Sequence, residues 1–331
     1  MNKFLFGYGL LLLALMAAPF AGVYPVFMMK LMCFALFACA FNLLLGYTGL
    51  LSFGHAAFFG GSAYVAGYSM KMWGLAPELA LVLGTTTGAL LGAVFGVLAI
   101  RRQGIYFSMI TLALAQMVYF IALQVPFTGG EDGLQAVPRG ELFGVLDLTN
   151  DLTMYYVVLL VVVAAFVLIF RTVHSPFGQV LKGIKENEPR AISLGYDVDR
   201  FKLLAFVISA AMSGLAGSLK TLVLGFSTLT DVHWSSSGSV ILMTLLGGLG
   251  TLSGPFVGAA VVVAMENKIG DLGHLLANFT RVEWFNTLGQ SVTIVTGLIF
   301  VICVLVFRRG IMGEAIALVM RFKEEHSNKS R

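Results

Sequence analysis

A serine and a histidine stand three residues apart inside the otherwise apolar stretch 46–64, GYTGLLSFGHAAFFGGSAY. On one helix, Ser52 and His55 could touch, and a serine beside a histidine is the beginning of a nucleophilic site. No acidic residue lies nearby in the sequence to orient the imidazole, so a hydrolase is disfavoured. Two interpretations remain. With Phe59 and Ser62 the pair forms a polar strip on one helix face, as a transport pathway in a membrane would require. Alternatively, His55 is uncharged and bonds to the backbone or to a serine of a neighbouring helix.

The other residues that could carry chemistry do not indicate an enzyme. Cys33, Cys39 and Cys303 each lie within an apolar run, without CxxC spacing or clustered histidines. We interpret them as buried side chains and expect no metal site. The glycine-rich segment GGLGTLSG (247–254) lacks the lysine of a phosphate-binding loop. The chain is therefore not expected to hydrolyse ATP, to be an enzyme or to hold a cofactor of its own.

The composition indicates that a bilayer surrounds the chain. Of its 331 residues, 58% are hydrophobic and 11% are charged, against about 25% charged residues in soluble domains. The basic residues behind the net charge of +4 are spread over short loops, which excludes a nucleic-acid-binding face. Lys3 followed by the apolar residues 10–18 would also fit a signal peptide, but Pro19 makes a poor cleavage site. We therefore favour an uncleaved first span.

Ten segments approach the 20 or so mostly apolar residues that a membrane-spanning helix needs. They are 4–21, 25–46, 49–70, 77–100, 104–124, 154–172, 203–222, 235–250, 254–268 and 286–307. The eighth and ninth are short, so a broken or re-entrant pair is an alternative there. The sequence predicts an all-α integral membrane protein with about ten transmembrane helices, forming one domain over residues 1–331.

The basic residues fix the orientation of these spans. With ten spans, Arg101, Arg102, the basic residues of the loop 173–202 and those of the C-terminal tail all fall on one face. By the positive-inside rule this face is cytoplasmic, so both termini are expected inside. The loop 125–153 on the opposite face is acidic, with Arg139 as its single basic residue. It is expected to be periplasmic.

The cytoplasmic loop contains signals for two short helices. Ser175 followed by proline is a helix start, and Asn187 can cap a second helix that Gly195 would end. The second helix carries apolar side chains ringed by charge. It could rest on the membrane surface or dock in a groove on a partner protein. We favour the partner, because the acidic residues of this loop would be poor neighbours for anionic headgroups.

Glycine and other small residues indicate how the spans pack. In the third span they recur four apart, as in Ala56 and Gly60, which predicts a central helix packed closely by its neighbours. The segments GYTGLLS (46–52) and GGLGTLS (247–253) both read G-x-x-G-x-L-S and both fall at a predicted cytoplasmic turn. Such an echo favours a two-half architecture.

Five segments, in order along the chain, resemble the signatures of branched-chain amino acid ABC transporter permeases, most closely the LivM type of the LivH/LivM permease family. They are NLLLGYTGLLSFGHAAFFGGSAY (42–64), RRQGIYFSMITLALAQ (101–116), TGGEDGL (128–134), SPFGQVLKGIKENEPRAISLG (175–195) and GGLGTLSGPFVGA (247–259). The resemblance implies an ABC importer permease fold in a bacterial inner membrane, translocating leucine, isoleucine and valine. It also implies a LivH-type permease partner, two cytoplasmic ATPase subunits that bind the ATP, and a periplasmic amino-acid-binding protein.

The same resemblance makes 173–202 a coupling loop. The helix around 186–195 would fit a cleft on an ATPase, and five residues match the family's loop pattern: Gly178, Glu186, Asn187, Glu188 and Gly195. Closure of the ATPases would then push this helix and tilt the sixth and seventh spans, giving alternating access.

The candidates for the substrate pathway are Asn42, Ser52, His55, Tyr64 and Thr128. Each also has a purely structural interpretation. Asn42 would satisfy a helix break, Tyr64 would pack at the membrane interface, and Thr128 would form a turn with the two glycines that follow it.

Two rival transport functions remain. Leu50 stands where many relatives have glutamine, and urea and short-chain amide ABC permeases share this fold, so they are the alternative substrates. An ion-coupled secondary transporter would need carboxylates near mid-membrane. Glu78, Asp231 and Glu266 lie near predicted span ends, and Lys220 is among the few ionisable groups placed deeper. This scarcity disfavours ion coupling.

Overall fold

The computed structural model describes residues 2–20, 22, 24–280, 297, 298, 301 and 310–314. The α-helices of this part are α1 (Asn2–Ala17), α2 (Pro25–Thr48), α3 (His55–Met72), α4 (Pro77–Ala99), α5 (Ile105–Gln124), α6 (Asp151–His174), α7 (Pro176–Glu186), α8 (Glu188–Ser193), α9 (Val198–Leu224), α10 (Leu229–Val232), α11 (Trp234–Gly247) and α12 (Gly254–Thr280). Cys303, almost all of the tenth predicted span and nearly all of the C-terminal tail lie outside the described residues.

Five of the described helices, α2, α4, α5, α6 and α9, are long and apolar enough to cross a membrane. The chain is thus mostly helical and of the membrane class that its composition predicted. α3 is 18 residues long and carries glycine, serine and histidine among its apolar residues. Cys33 and Cys39 are both free and buried, as the sequence predicted.

A stripe of glycines joins α4 to α9. Its members recur at every fourth position of α4 and are Gly84, Gly88, Gly92 and Gly96. A Cβ on Gly88 would stand 2.7 Å from the carbonyl oxygen of Ala210 and 3.0 Å from the Cα of Gly214. Small residues at such a seam let two backbones approach closely. The opposite face of α4 is exposed and apolar, with Val82, Leu90, Val94 and Val97.

α3 packs against α4 and α9, stacks Phe59 on Phe37 of α2, and is buried along most of its length. Gly217 of α9 packs against the backbone of Phe59 so closely that a Cβ there would overlap the carbonyl group. The sequence prediction of a central third helix is confirmed, and the small residues are the reason for it.

The connections between helices gather at the two ends of the bundle. Those predicted to be cytoplasmic meet through the pairs Gly46–Lys185, Asn42–Gly250 and Gln103–Glu188. Those predicted to be external meet through Lys71–Gln135, Leu134–Ser227 and Glu78–Phe143. The grouping of the loops agrees with the one inferred from charge.

A short hairpin and an ion pair order the acidic loop, residues 125–153. Strands β1 (Glu141–Leu142) and β2 (Leu146–Asp147) pair antiparallel. Arg139 contacts Asp151 at 2.6 Å and donates a second bond to the carbonyl of Val223, at 3.0 Å. Hydrogen bonds from the amide and hydroxyl of Thr149 lower the pKa of Asp147 below its ordinary value. This loop is therefore an ordered cover on its end of the bundle.

Candidate functional site

The connection between α2 and α3 turns back into the helix bundle. α2 ends at Thr48, and Gly49 takes the left-handed φ of 77° that ends it. α3 begins at His55, whose ring lies 4.8 Å from the ring of Phe41. Phe41 is seven residues before the end of α2, which is about 10 Å along a helix. Residues 49–54, the re-entrant connection, therefore descend into the protein. Irregular backbone at membrane depth occurs only where protein or a water-filled cavity surrounds it.

Hydroxyl groups of α5 satisfy one side of this connection. The hydroxyl of Ser108 donates to the carbonyl of Leu51 at 2.6 Å. The backbone amide of Phe53 donates to the hydroxyl of Thr111 at 3.2 Å. Without such partners, each of these buried backbone groups would cost free energy comparable to a lost hydrogen bond. The two hydroxyls therefore replace the helical hydrogen bonds that residues 49–54 give up.

A hydroxyl of α11 satisfies the other side. Ser237 donates to the carbonyl of Phe53 at 2.7 Å and accepts from the amide of Ala56 at 2.8 Å. Within the connection, Ser52 accepts from the amide of Gly54 at 3.1 Å. Ser52 thus lies before the helix begins. The prediction that Ser52 and His55 share one helix face is wrong, because backbone bonds to α5 and α11 stabilise an unwound start.

His55 links three helices. Its Nε2 lies 2.9 Å from the hydroxyl of Ser209 on α9, and this hydroxyl lies 2.5 Å from the carbonyl oxygen of Ala40 on α2. A carbonyl cannot donate, so Ser209 donates to Ala40 and His55 donates to Ser209. Within the described chain, Nδ1 is buried without a hydrogen-bond partner. Three aromatic rings surround the imidazole edge-on: Phe41, Phe58 and Phe206. Of the two interpretations of His55, this geometry fits the bond to a neighbouring serine.

Asn42 holds a second glycine turn against α2. Its Nδ2 donates to the carbonyl of Thr251 at 2.8 Å, and its Oδ1 accepts from the amide of Gly250 at 3.0 Å. This turn, residues 248–253, is the second copy of the G-x-x-G-x-L-S motif. The fourth residue of each copy, Gly49 and Gly250, has a left-handed φ, of 77° and 73°. The two copies therefore share this left-handed glycine and lie side by side, whereas Tyr47 is helical and its counterpart Gly248, at a φ of 118°, is not.

Tyr64 and Thr128 lie away from these turns. Tyr64 is buried, and its hydroxyl has no hydrogen-bond partner among the described residues. The hydroxyl of Thr128 is shared between the carbonyls of Ala122, at 2.5 Å, and Val125, at 2.6 Å, at the end of α5. Thr128 therefore lies in a turn, which agrees with the structural interpretation of this residue.

The five pathway candidates are all buried, with at most 2% of each residue's surface exposed: Asn42, Ser52, His55, Tyr64 and Thr128. Ser52 and His55 lie together at the start of α3, and Asn42 follows Phe41, whose ring packs against His55. Thr128 lies just beyond the end of α5. The apolar cavity of about 310 Å³ between α1, α6 and α12 is lined by other residues. The pathway role of the five stays a prediction.

Sequence reasoning missed a buried ion pair near the C-terminal end of α9. Lys220 contacts Asp231 of α10 at 2.6 Å, with 5% and 11% of the two side chains exposed. The amide and the hydroxyl of Thr228 both donate to Asp231 at 3.0 Å. The spacing Thr228-x-x-Asp231 is the signature of a capping box, which could have indicated the local bonds between these two residues but not the contact with Lys220.

The predicted helices of the cytoplasmic loop form as α7 and α8, the α7–α8 unit (176–193). Ser175 caps α7 by accepting from Gly178, and Asn187 caps α8 by accepting from Arg190. Gly195 follows α8 with a φ of 85°. The helix starts and the stop predicted from Ser175, Asn187 and Gly195 are confirmed.

Gly178 and Glu188, two of the five residues that match the family's loop pattern, have structural roles inside this chain. A Cβ on Gly178 would stand 2.6 Å from the carbonyl oxygen of Thr172, so glycine permits the sharp turn from α6 into α7. Glu188 accepts from Lys202 at 2.7 Å and from Gln103 at 2.9 Å. This carboxylate fastens α8 to α9 and to the turn between α4 and α5.

Other parts of the α7–α8 unit face outward. Ile192 and Leu194 are 57% and 69% exposed. Beside them is a cleft of about 360 Å³, whose lining includes Glu186, Asn187 and Arg190. An exposed apolar pair next to a polar cleft is the kind of surface that a protein partner covers.

The comparisons with known proteins agree with this architecture. Residues 26–304 match the family described as "Branched-chain amino acid transport system / permease component". The chain is 28% identical to the high-affinity branched-chain amino acid transport system permease protein LivM of Salmonella typhimurium, over 72% of this chain and 62% of that protein. The LivM of Escherichia coli gives the same three values.

A sugar permease is also similar. The ribose import permease protein RbsC of Bacillus subtilis is 27% identical, over 64% of this chain and 66% of that protein. The chain spans about three fifths of the length of the LivM proteins it matches. Since the family match covers most of the sequence, the chain belongs to the family of permease components of branched-chain amino acid transport systems.

Proposed function

We propose that this chain is a membrane-spanning permease subunit of an ATP-driven importer for leucine, isoleucine and valine. The observation that carries the proposal is the similarity to LivM along most of the chain. In this proposal, ten spans place both termini in the cytoplasm of a bacterial inner membrane. The loop 125–153 faces the periplasm, where a binding protein delivers the substrate.

The energy comes from other chains. A LivH-type permease completes the pore, and two cytoplasmic ATPase subunits bind and hydrolyse the ATP. The α7–α8 unit is the contact with one ATPase, because Ile192 and Leu194 are exposed apolar side chains at the end of the bundle where the basic loops gather. Glu186 and Asn187 line the adjacent cleft and are available to polar groups of the ATPase.

The proposed substrate has alternatives, namely urea, short-chain amides and ribose. Leu50, which stands where many relatives have glutamine, lies in an apolar cluster with Phe58 and Phe107. Since Leu50 is buried in this cluster, its difference from those relatives concerns packing and does not favour leucine, isoleucine or valine over urea or a short-chain amide. The similarity to RbsC makes ribose a further substrate to test.

Reconstitution tests the proposal. Proteoliposomes would contain this chain, the LivH-type permease, both ATPases and the binding protein, and the uptake of labelled leucine, isoleucine, valine, urea and ribose would be measured with and without ATP. We expect ATP-dependent uptake of the three amino acids. Uptake of urea or ribose alone would overturn the substrate, and uptake driven by a proton or sodium gradient with this chain alone would overturn the ATP-driven importer.

A pair of matched variants tests the ATPase contact. Ile192→Glu introduces a charge on α8, and Val145→Glu introduces the same charge at a position of the outer hairpin that is 82% exposed. We expect Ile192→Glu to lose co-purification of the ATPase and Val145→Glu to keep it. Equal retention in both variants would contradict the docking role of α8.

A further inference from the structure

Lysine side chains of α7 contact the end of α2. The Nζ of Lys185 donates to the carbonyl oxygen of Gly46 at 2.8 Å. One turn earlier, the Nζ of Lys182 lies 5.6 Å from the centre of the Tyr47 ring. The last four carbonyls of a helix have no partner within it and form the negative end of its dipole. Gly46 is among these residues, so the ammonium of Lys185 binds where α2 accepts a cation best.

The same turn of α2 holds the second glycine turn. A Cβ on Gly46 would stand 2.9 Å from the amide nitrogen of Gly250, so only glycine permits this approach. One turn before Gly46, Asn42 bonds to both Gly250 and Thr251. Lys185 and the second glycine turn are thus attached to one helical turn of α2, residues 42–46.

The re-entrant connection begins at this point as well. Gly49 follows α2 directly, and a Cβ on it would stand 3.3 Å from the Cγ of Lys185. The stem of Lys185 therefore lies against the first residue of the connection while its ammonium bonds to Gly46. A displacement of α7 would reach the connection 49–54 through the stem and the turn 248–253 through Asn42.

We propose that Lys185 is the positioning residue through which movement of α7 reaches the two glycine turns. This inference rests on the proposed function, since the ATPases supply the movement. It adds a route through α2 to the tilting of α6 and α9, the two helices that flank the α7–α8 unit in sequence. Lys185 acts through Gly46 and Asn42 and need not touch the substrate.

The test replaces Lys185 by methionine, which keeps the length of the side chain and removes the donor. The complete complex in proteoliposomes is assayed for substrate transported per ATP hydrolysed. We expect Lys185→Met to lower this ratio by about tenfold, within the range typical of coupling free energies, while ATP hydrolysis and ATPase association persist. Lys185→Arg, which keeps a charged donor, should recover most of the ratio.

Lys182→Met is the matched control. It removes a lysine from the same helix and the same neighbourhood but leaves the Gly46 bond intact. We expect Lys182→Met to keep the ratio near that of the unmodified complex. A normal ratio in Lys185→Met, or an equal loss in both variants, would overturn the role of Lys185.

A second measurement is independent of transport. Hydrogen exchange of the permease in nanodiscs reports on the amide of Gly250, which bonds to Asn42, and on the amides of residues 49–54. We expect Lys185→Met to accelerate exchange at both turns and Lys182→Met to leave it unchanged. Unchanged exchange in Lys185→Met would overturn the inference. If the unmodified complex does not transport with ATP, the proposed function fails, and hydrogen exchange still decides whether Lys185 holds the two turns.

Discussion

Replacing Ser209 by alanine is expected to leave the Nε2–H of His55 without an acceptor inside the helix bundle. The hydroxyl of Ser209 accepts a hydrogen bond from His55 and donates one to the carbonyl of Ala40, so it joins α2, α3 and α9. Alanine fills nearly the same space. The change therefore removes hydrogen bonds with little loss of packing.

The loss of stability in Ser209→Ala depends on the cost of leaving the Nε2–H of His55 without an acceptor. A buried donor left unsatisfied costs about 1–3 kcal/mol, whereas side-chain bonds between membrane helices average about 0.6 and reach about 1.7 kcal/mol. The carbonyl of Ala40 lies within α2 and keeps a helical donor, so its loss is minor. We expect the free energy of unfolding to fall by about 1–2 kcal/mol. At an unfolding entropy of about 2.1 cal/mol/K per residue, a chain of 331 residues loses roughly 1–2 °C per kcal/mol, so the Tm falls by about 1–4 °C.

The assay is thermal unfolding of the purified protein in detergent, followed by loss of the monodisperse species. Ser213→Ala is the matched control, because Ser213 is equally buried on the same helix. Among the described residues, its hydroxyl bonds only to the carbonyl of Ser209 one turn before. His55→Phe in the Ser209→Ala background removes the stranded donor and should recover stability. Equal stability of Ser209→Ala and Ser213→Ala, or no recovery in the double variant, would refute the reasoning.

Three other predictions concern packing, charge and backbone. Gly88→Ala should lower the free energy of unfolding by about 1–3 kcal/mol, because its methyl group would overpack the α4–α9 seam, while Gly238→Ala, with no atom near the added Cβ, should be neutral or stabilising in the same unfolding assay. Asp231→Asn should cost about 3–5 kcal/mol by stranding the Lys220 charge, and adding Lys220→Met should recover most of it; no recovery would contradict the pairing. Gly195→Ala should cost about 1–2 kcal/mol, since alanine is strained at a φ of 85°, and limited proteolysis should then cut 174–202 faster; an unchanged rate would contradict this.

The features that could be predicted from the sequence are those with local causes. Ser175, Asn187 and Gly195 bound α7 and α8 through contacts within a few residues, so their types and spacing are sufficient. The central position of α3 follows from its small residues, which are visible in the sequence. The grouping of the loops follows from the placement of arginine and lysine, because that rule depends on charge alone.

The features that could not be predicted depend on distant partners. The sequence pattern puts Ser52 on a helix, although Gly46 and Gly49 permit an unwound start. Nothing in residues 46–64 shows that Ser108, Thr111 and Ser237 would satisfy the unwound backbone. His55 and Ser209 are separated by 154 residues, and one sequence gives no measure of which serine faces which helix. Hydropathy puts Asp231 near a span end, although its burial depends on how α10 folds back onto α9.

The hydrogen bonds between Asn42 and the turn 248–253 have a consequence for synthesis of the protein. Its bond partner Thr251 lies 209 residues further along the chain. At about 5–20 residues per second, a ribosome needs roughly 10–40 s to make that interval. During this delay the carboxamide of Asn42 has emerged and its acceptor does not yet exist. The contact between α2 and the turn 248–253 can therefore form only after residue 251 has been synthesised.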